Sequence, residues 1–438
     1  MPSTYITRTF STNSVSNRKF TYSFWVKRSN LGEQTLTCAY SDNTYFAGIK
    51  FDSSNRLEVY DYRGSYKLQK ITTRLFRDIS AWYHIVVASD TSVSTPDTKI
   101  YINGVEETAF DTDTDYTQNH STSFNHSYGN TIGCFNGSST QQFFDGLMSH
   151  FHFCDGYTYA ASNFGFVDST TGEWAINSNP NVSYGSNGFW VLKDGNTITD
   201  SSTNTNNWTL SGGTLTKTED NPSNNFCTLN PLFNNKAYFT SNSISFDTAN
   251  GNTYAGKVTH CSYMGTIGVS SGKFYWEVKL QDTNTAFGIV AMRPNGGVSY
   301  AYDDGTVNAY YPYTSNNLYI NGSNQSGGAY DNTQNKTYSF ALDATNNKMW
   351  IGRDGTFTGD PANGTGATWS SLPTGHQWTP FVHSMATTQN NNTWLNFGNG
   401  YLGTTAVSSA GTNASGIGIF EYNVPTGFTA LSTKGLNL

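Results

Sequence analysis

Two stretches of this chain, roughly 250 residues apart, follow one rule. A strand runs to an aspartate, crosses a polar turn, and returns as a second strand ending in a glycine turn. The first is Trp82-Tyr83-His84-Ile85-Val86-Val87-Ala88-Ser89-Asp90, then Lys99-Ile100-Tyr101-Ile102-Asn103-Gly104. The second is Tyr338-Ser339-Phe340-Ala341-Leu342-Asp343, then Lys348-Met349-Trp350-Ile351-Gly352-Arg353-Asp354-Gly355. In the return strands Ile100 and Ile102, like Met349 and Ile351, stand two apart and so share one face. Asn-Gly and Asp-Gly supply the positive φ that a two-residue hairpin requires. Two copies of this grammar predict two antiparallel sandwiches.

A chain of 438 residues is too long for one core and fits two or three domains. Charged residues make up 13%, against about a quarter in ordinary domains. Asn, Ser, Thr, Gly and Tyr take their place, which suits strands joined by many turns. Tyr and Phe number 28 each, so the expected surface is polar, uncharged and rich in rings. Such a surface fits neutral, hydroxyl-rich partners or other protein. A net charge of −7 with 24 Lys plus Arg and no basic cluster argues against nucleic acid and against an anionic membrane. No apolar run approaches the roughly 18 residues of a membrane span. The start, Met1-Pro2-Ser3-Thr4-Tyr5, lacks the features of a secretory signal, so the expectation is a soluble protein made in a cytoplasm. Five cysteines without CxxC spacing predict free thiols.

Three stretches are expected. Residues 1–156 hold the alternating strand Phe20-Thr21-Tyr22-Ser23-Phe24-Trp25-Val26, read as half-buried, and close with Leu147 to Cys154 and Asp155-Gly156. Residues 157–231 are Gly- and Asn-rich around Trp174, Phe189, Trp190 and Trp208, and read as an ordered coil draped over its neighbours, with one or two hairpins and no independent core. Residues 232–438 return to short strands with a turn signal every ten residues or so, as a sandwich demands. The fold class is therefore all-β: two antiparallel jelly-roll sandwiches joined by an irregular connector.

The first stretch resembles a laminin-G-like, concanavalin A-like jelly roll, through Phe24-Trp25-Val26-Lys27, Trp82-Tyr83-His84-Ile85-Val86, Lys99-Ile100-Tyr101-Ile102-Asn103-Gly104, Phe144-Asp145-Gly146 and Asp155-Gly156. The third resembles a SPRY domain, through Gly272-Lys273-Phe274-Tyr275-Trp276-Glu277-Val278, Phe287-Gly288-Ile289 and the second hairpin. Between them lie Phe164-Gly165 to Gly172-Glu173-Trp174, Gly188-Phe189 and Asn206-Asn207-Trp208-Thr209, and the chain ends Pro425-Thr426-Gly427-Phe428-Thr429-Ala430-Leu431. This tandem order resembles structural proteins of tailed phages, especially phages of marine bacteria. The resemblance implies a virion component (fibre, spike or head decoration) that interacts and does not catalyse. It carries over no functional residues.

Candidate sites follow from residue types and spacing. The Tyr-rich stretch holding Tyr300, Tyr302, Tyr310, Tyr311 and Tyr313 is the expected recognition surface, because tyrosine offers a flat apolar face and a hydroxyl at low entropic cost. In SPRY domains, loops at this end commonly form the binding face. The competing reading packs several of these rings inside strands. Asp111, Asp113 and Asp115 place carboxylates at alternate positions, as calcium favours, although the EF-hand pattern fails at Tyr116 and Thr122. The plainer reading there is a solvated acidic loop, and no other cofactor is expected. His150, His152 and Cys154 alternate on one strand face about 7 Å apart; zinc ligands can come from such a row, but a face turned to solvent or to a neighbouring subunit is the ordinary explanation. A glycosidase jelly roll needs paired carboxylates on one face, about 5 Å apart in retaining enzymes. The string Leu57-Glu58-Val59-Tyr60-Asp61 instead puts Glu58 and Asp61 on opposite faces.

The resulting expectation is a non-enzymatic phage virion protein, a fibre or spike component binding host cell-surface carbohydrate through aromatic loops. The alternative is a capsid or tail decoration protein whose partners are other virion proteins, with a polysaccharide-cleaving glycosidase as a minor third. Neither nucleic acid nor membrane is an expected partner. Localisation to the virion and assembly as a homo-oligomer, guessed as a trimer, come from the same resemblance.

Overall fold

The computed structural model describes residues 4–10, 14, 16–230, 253–256, 262–281, 283, 285–292, 309–313, 317–320, 323–325, 332–384, 391–403 and 405–438. The chain divides into two compact units, Met1–Lys217 and Thr218–Leu438. The stretch 157–231 divides between them, its first part falling in the first unit and its end in the second.

In the first unit, among the described residues, an eight-stranded antiparallel sheet runs in the order Phe110–Thr114, Tyr66–Leu75, Arg56–Arg63, Tyr45–Phe51, Gln34–Asp42, Gly129–Ile132, Tyr5–Thr9, Thr209–Gly212. A six-stranded sheet is ordered Phe189–Val191, Gly146–Asp155, Lys19–Arg28, Tyr83–Asp90, Lys99–Ile102, Val105–Glu106. The strands alternate as the sequence pattern requires. Phe20, Tyr22, Phe24 and Val26 face inward with Ile85, Val87, Phe151 and Phe153, against Ala47, Ile49, Phe51, Leu57 and Val59 of the opposite sheet. Rings dominate this core: Phe24 stacks on Phe151 and Tyr22 on Phe153, each pair with centroids 4.5 Å apart.

The strand Lys19–Arg28 is buried on both faces past its first residue, where its alternation had suggested one face in solvent. Residues 157–192 are the cause. They carry a hairpin, Gly165–Val167 with Trp174–Ile176, and they lay Ala161, Phe164, Tyr159, Trp174, Val182 and Tyr184 against Val86 and Cys154 on the outside of the six-stranded sheet. The turn Asn103-Gly104 has φ of 49° and 80° and pairs Ile102 with Val105 in a two-residue hairpin. A Cβ on Gly104 would lie 2.4 Å from the Trp174 ring, so only glycine lets the indole settle on this turn.

In the second unit, among the described residues, one sheet is ordered Thr253–Gly256, Asn391–Asn396, Lys273–Leu280, Thr337–Asp343, Lys348–Arg353, Thr356–Phe357, with Thr429–Ala430 pairing in parallel to Lys273–Leu280. The facing sheet is ordered Ser262–Met264, Trp378–Ser384, Thr285–Ala291, Ala309–Tyr313, Asn317–Ile320, Ser323–Asn324. Phe274, Trp276, Val278, Phe287, Ile289, Phe340 and Val382 fill the space between them. The second hairpin is made as expected, Asp354 and Gly355 taking φ of 48° and 81° between Arg353 and Thr356. Here too a late segment covers an outer face: Phe420, Val424, Phe428 and Ala430 pack on Tyr275, Ala341 and Trp350. Glu277, on that same face, accepts the backbone N–H groups of Glu421 (2.9 Å) and Tyr422 (2.8 Å) and so ties the segment down.

Candidate functional site

The tyrosines expected to form a recognition loop do not do so where they are described. Tyr310 and Tyr311 lie on the strand Ala309–Tyr313 and are 5% and 0% exposed. Tyr310 meets Trp369 and Trp378 edge-on at 5.8 and 5.6 Å, within the sandwich core. Tyr311 points the other way, stacked on Tyr319 at 5.4 Å and edge-on to Phe381 at 5.8 Å. Neighbouring tyrosines on a strand point to opposite faces, and both faces here are covered. Tyr313 ends that strand, opposite Asn317. Tyr300 and Tyr302 lie outside the described residues.

The acidic row is not a loop either. Asp111 and Asp113 belong to the sheet-edge strand Phe110–Thr114, with Asp115 just beyond it. The buried ammonium of Lys70 lies 2.6 Å from Asp113, 3.2 Å from Asp115 and 3.4 Å from Asp97, while Asp111 pairs with Arg56 at 2.7 Å. Burial alone would lower the Lys70 pKa, but Asp113 and Asp115 reverse the sign and hold it above its ordinary value. The donor set therefore does not fit a calcium ion, since a lysine already supplies the positive charge. Among the described residues no group of three His, Cys, Asp or Glu is arranged to hold a metal.

The row His150, His152, Cys154 breaks at its first member. His150 adopts φ of 48° at a bulge in the pairing with Lys19–Arg28. His152 and Cys154 are buried beneath residues 157–192, not turned to solvent. Asp61, inside the sandwich, accepts the Tyr116 hydroxyl (2.9 Å) and the Ser123 N–H (2.8 Å), whereas Glu58 faces outward. The two carboxylates thus stand on opposite faces, as their spacing predicts.

The outward face of the eight-stranded sheet carries a feature that the sequence reading did not single out. Register places Tyr40 opposite Phe46, Phe46 opposite Tyr62 and Tyr62 opposite Tyr66, one aromatic row crossing four strands. Phe46 stacks on Tyr62 at 5.0 Å, Tyr66 meets Tyr62 edge-on at 5.3 Å, and Phe135 meets Tyr40 and Phe46 edge-on at 6.0 Å each. Tyr66, at the end of the row, remains 45% exposed. The signal was legible in Phe46-Ala47-Gly48-Ile49 and Leu57-Glu58-Val59-Tyr60-Asp61-Tyr62: the aliphatics hold one parity and the rings the other.

Beside the rings lies a polar row. Lys50 bridges Glu33 (2.8 Å) and Glu58 (3.4 Å), and the Gln69 amide donates to Glu58 at 2.8 Å. Burial pulls the Lys50 ammonium down, yet Glu33 and Glu58 together raise it, so it stays charged. Burial, and then Glu58, raise the Tyr66 phenol, which keeps its proton and can both donate and accept. The face joins apolar rings to hydroxyl, amide and ion-paired groups, with the Lys50 ammonium set between the Glu33 and Glu58 carboxylates. Such chemistry suits stacking and hydrogen bonding with an uncharged, polyhydroxylated ligand.

Two stacked antiparallel sheets with this order define the first unit as a concanavalin A-like, laminin G-type sandwich. Residues 3–162 match the concanavalin A-like lectin/glucanases superfamily. A search of curated proteins returns no match. Among solved structures, the chain is similar to the SPRY domain of human HERC1 at 16% identity, covering 38% of this chain and 96% of that one with a TM-score of 0.30. It is similar to the LG1-3 region of the laminin alpha2 chain at 8% identity, covering 92% and 61% with a TM-score of 0.32. Domain 4 of AbnA, a GH43 extracellular arabinanase from Geobacillus stearothermophilus solved with arabinotriose, matches at 18% identity, covering 33% and 64% with a TM-score of 0.26.

Proposed function

We propose that this protein is a carbohydrate-binding virion component, a fibre or spike element that holds a neutral cell-surface glycan on the outer face of its first sandwich and breaks no bonds. The observation that carries the reading is the row Tyr40, Phe46, Tyr62, Tyr66 crossing adjacent strands beside Gln69, Glu58 and Lys50. Rings set on a sheet need little ordering to receive a ligand, so little entropy opposes binding. The match of residues 3–162 to a lectin-containing superfamily supports the ligand class. The absence of catalysis is argued from Glu58, which Lys50 and Gln69 occupy, and from Asp61, which lies on the other face. The virion assignment rests on the tandem resemblance alone, as do a trimeric assembly and synthesis in the bacterial host cytoplasm.

A glycan array with the intact chain tests this. Tyr66→Ala and Tyr62→Ala remove rings of this row and should cut binding about tenfold or more each, with unchanged circular dichroism. Full binding by both variants would remove this face from consideration. A decoration role, with other virion proteins as partners, is favoured by a separate observation: the hairpin residues Phe166 and Val167 are 51% and 62% exposed. A pull-down with capsid and tail proteins, lost on Phe166→Ser, would select that reading.

A further inference from the structure

The outer face of the six-stranded sheet gathers three imidazoles beneath residues 157–192. His84 stacks on Trp25 at 4.7 Å and His152 on Trp190 at 4.8 Å, and the rings of His150 and His152 are 6.5 Å apart. The covering segment grips two of them directly. Trp174 donates its indole N–H to His84 Nδ1 at 2.9 Å, and the Tyr184 hydroxyl lies 2.9 Å from His152 Nδ1. An indole nitrogen only donates, so His84 Nδ1 is bare and its proton sits on Nε2, facing Ser23 Oγ at 2.9 Å. A second proton must enter at Nδ1, where it would confront the indole N–H.

The charged and titratable groups around this cluster give it little relief. Lys193 and Asp194, after the strand Phe189–Val191, act on His150 with opposite signs. On His84 the acting charge is His150, and on His152 it is His150 and His84. Along the sheet the outward neighbours are Lys27 on Lys19–Arg28, Tyr101 on Lys99–Ile102 and the Cys154 thiol on Gly146–Asp155. The covering segment contributes Tyr159 and Tyr184, the latter acted on by Cys154, Asp200 and Tyr159.

We propose that residues 157–187 form an acid-labile cover: a proton taken up by the His84, His150, His152 cluster expels Trp174 and Tyr184 and bares the sheet beneath, while the eight-stranded sheet stays closed. Burial holds His84 down to about 3 and His150 to about 4, and with the neighbouring imidazoles holds His152 well below its ordinary value. Once uncovered, each imidazole returns toward about 6.5. The uncovered state therefore binds more protons, so the cover is fully stable above about pH 6.5 and weakens as pH falls toward the buried values. Each pH unit favours opening by up to about tenfold per imidazole.

Hydrogen exchange of the intact chain between about pH 7 and pH 5, corrected for intrinsic rates, tests the proposal. The opening constant of peptides from 157–187 should rise at least about tenfold, with a red shift of tryptophan emission, while peptides from 45–63 hold their protection. No pH response in 157–187, or an equal response in 45–63, overturns it. His84→Gln keeps an acceptor for the Trp174 N–H but takes no proton, so its response should be shallower by one imidazole. An undiminished response in a folded H84Q chain removes His84 from the device, and if that variant does not fold, the profile of the unaltered chain decides alone.

Discussion

Tyr60 lays its ring across Gly48 of the neighbouring strand, so closely that a Cβ on Gly48 would stand 2.6 Å from the phenol oxygen. The ring fills the centre of the outward face, between the aromatic row and the Lys50–Glu58 pair. Gly48→Ala should lift Tyr60, cost about 1–3 kcal/mol as overpacking does, and weaken glycan binding. Urea denaturation and the array together check this. Tyr60→Phe in the same background should recover part of both, because it deletes the clashing oxygen.

Lys70 serves the acidic edge as a built-in cation. Lys70→Met should destabilise the first unit by about 1–2 kcal/mol, less than the 3–5 kcal/mol of a fully buried pair because Asp97 and Asp113 are half exposed. Calcium or EDTA should leave the melting temperature of the unaltered chain where it is. A clear calcium-dependent rise would show that the carboxylates prefer a metal to the lysine.

Glu277 receives two donors on each oxygen: Tyr275 hydroxyl and Tyr422 N–H on Oε1, Asn396 amide and Glu421 N–H on Oε2. Glu277→Gln, though isosteric and neutral, would aim an NH₂ at one of these donor pairs and should cost about 1–3 kcal/mol. Burial outweighs these bonds and raises the Glu277 pKa to about 7. A carboxyl raised in the folded state binds its proton more tightly there, so its contribution is greatest below about pH 4.5 and is lost as pH rises through 7. Calorimetry should show the second unit gaining stability from this group between pH 7 and 5, opposite in sign to the histidines of the first unit.

Tyr310→Ala and Tyr311→Ala, the substitutions the sequence alone would choose to abolish recognition, should instead unfold the second sandwich by about 3–5 kcal/mol each. A denaturant midpoint that does not move would contradict the buried placement of these rings.

The fold was readable where chemistry is local. Asn103-Gly104 and Asp354-Gly355 announce their hairpins, because few other dipeptides accept that backbone. The paired aliphatics Ile100 and Ile102, or Met349 and Ile351, announce a core face. What alternation cannot report is coverage by distant chain. Val86 and Trp350 stand on the faces opposite the core, and both are buried because residues of 157–187 and the 420–430 region return over them. Tyr310 and Tyr311 misled for another reason: they lie on a strand, Tyr310 in the sandwich core and Tyr311 against Tyr319 and Phe381 of its own sheet. The row from Tyr40 to Tyr66 depends on the registers of four strands, two of them altered by bulges, and spacing along one strand carries none of that.

The cover over the six-stranded sheet also sets how this molecule can be cut. A recombinant piece stopping at residue 162, where the lectin-superfamily match ends, would leave Trp25, His84, Val86, His152 and Cys154 naked to water. Such a piece should come out of cells as inclusion bodies, and soluble material should require the chain to continue at least through the indole of Trp174 and the strand Phe189–Val191.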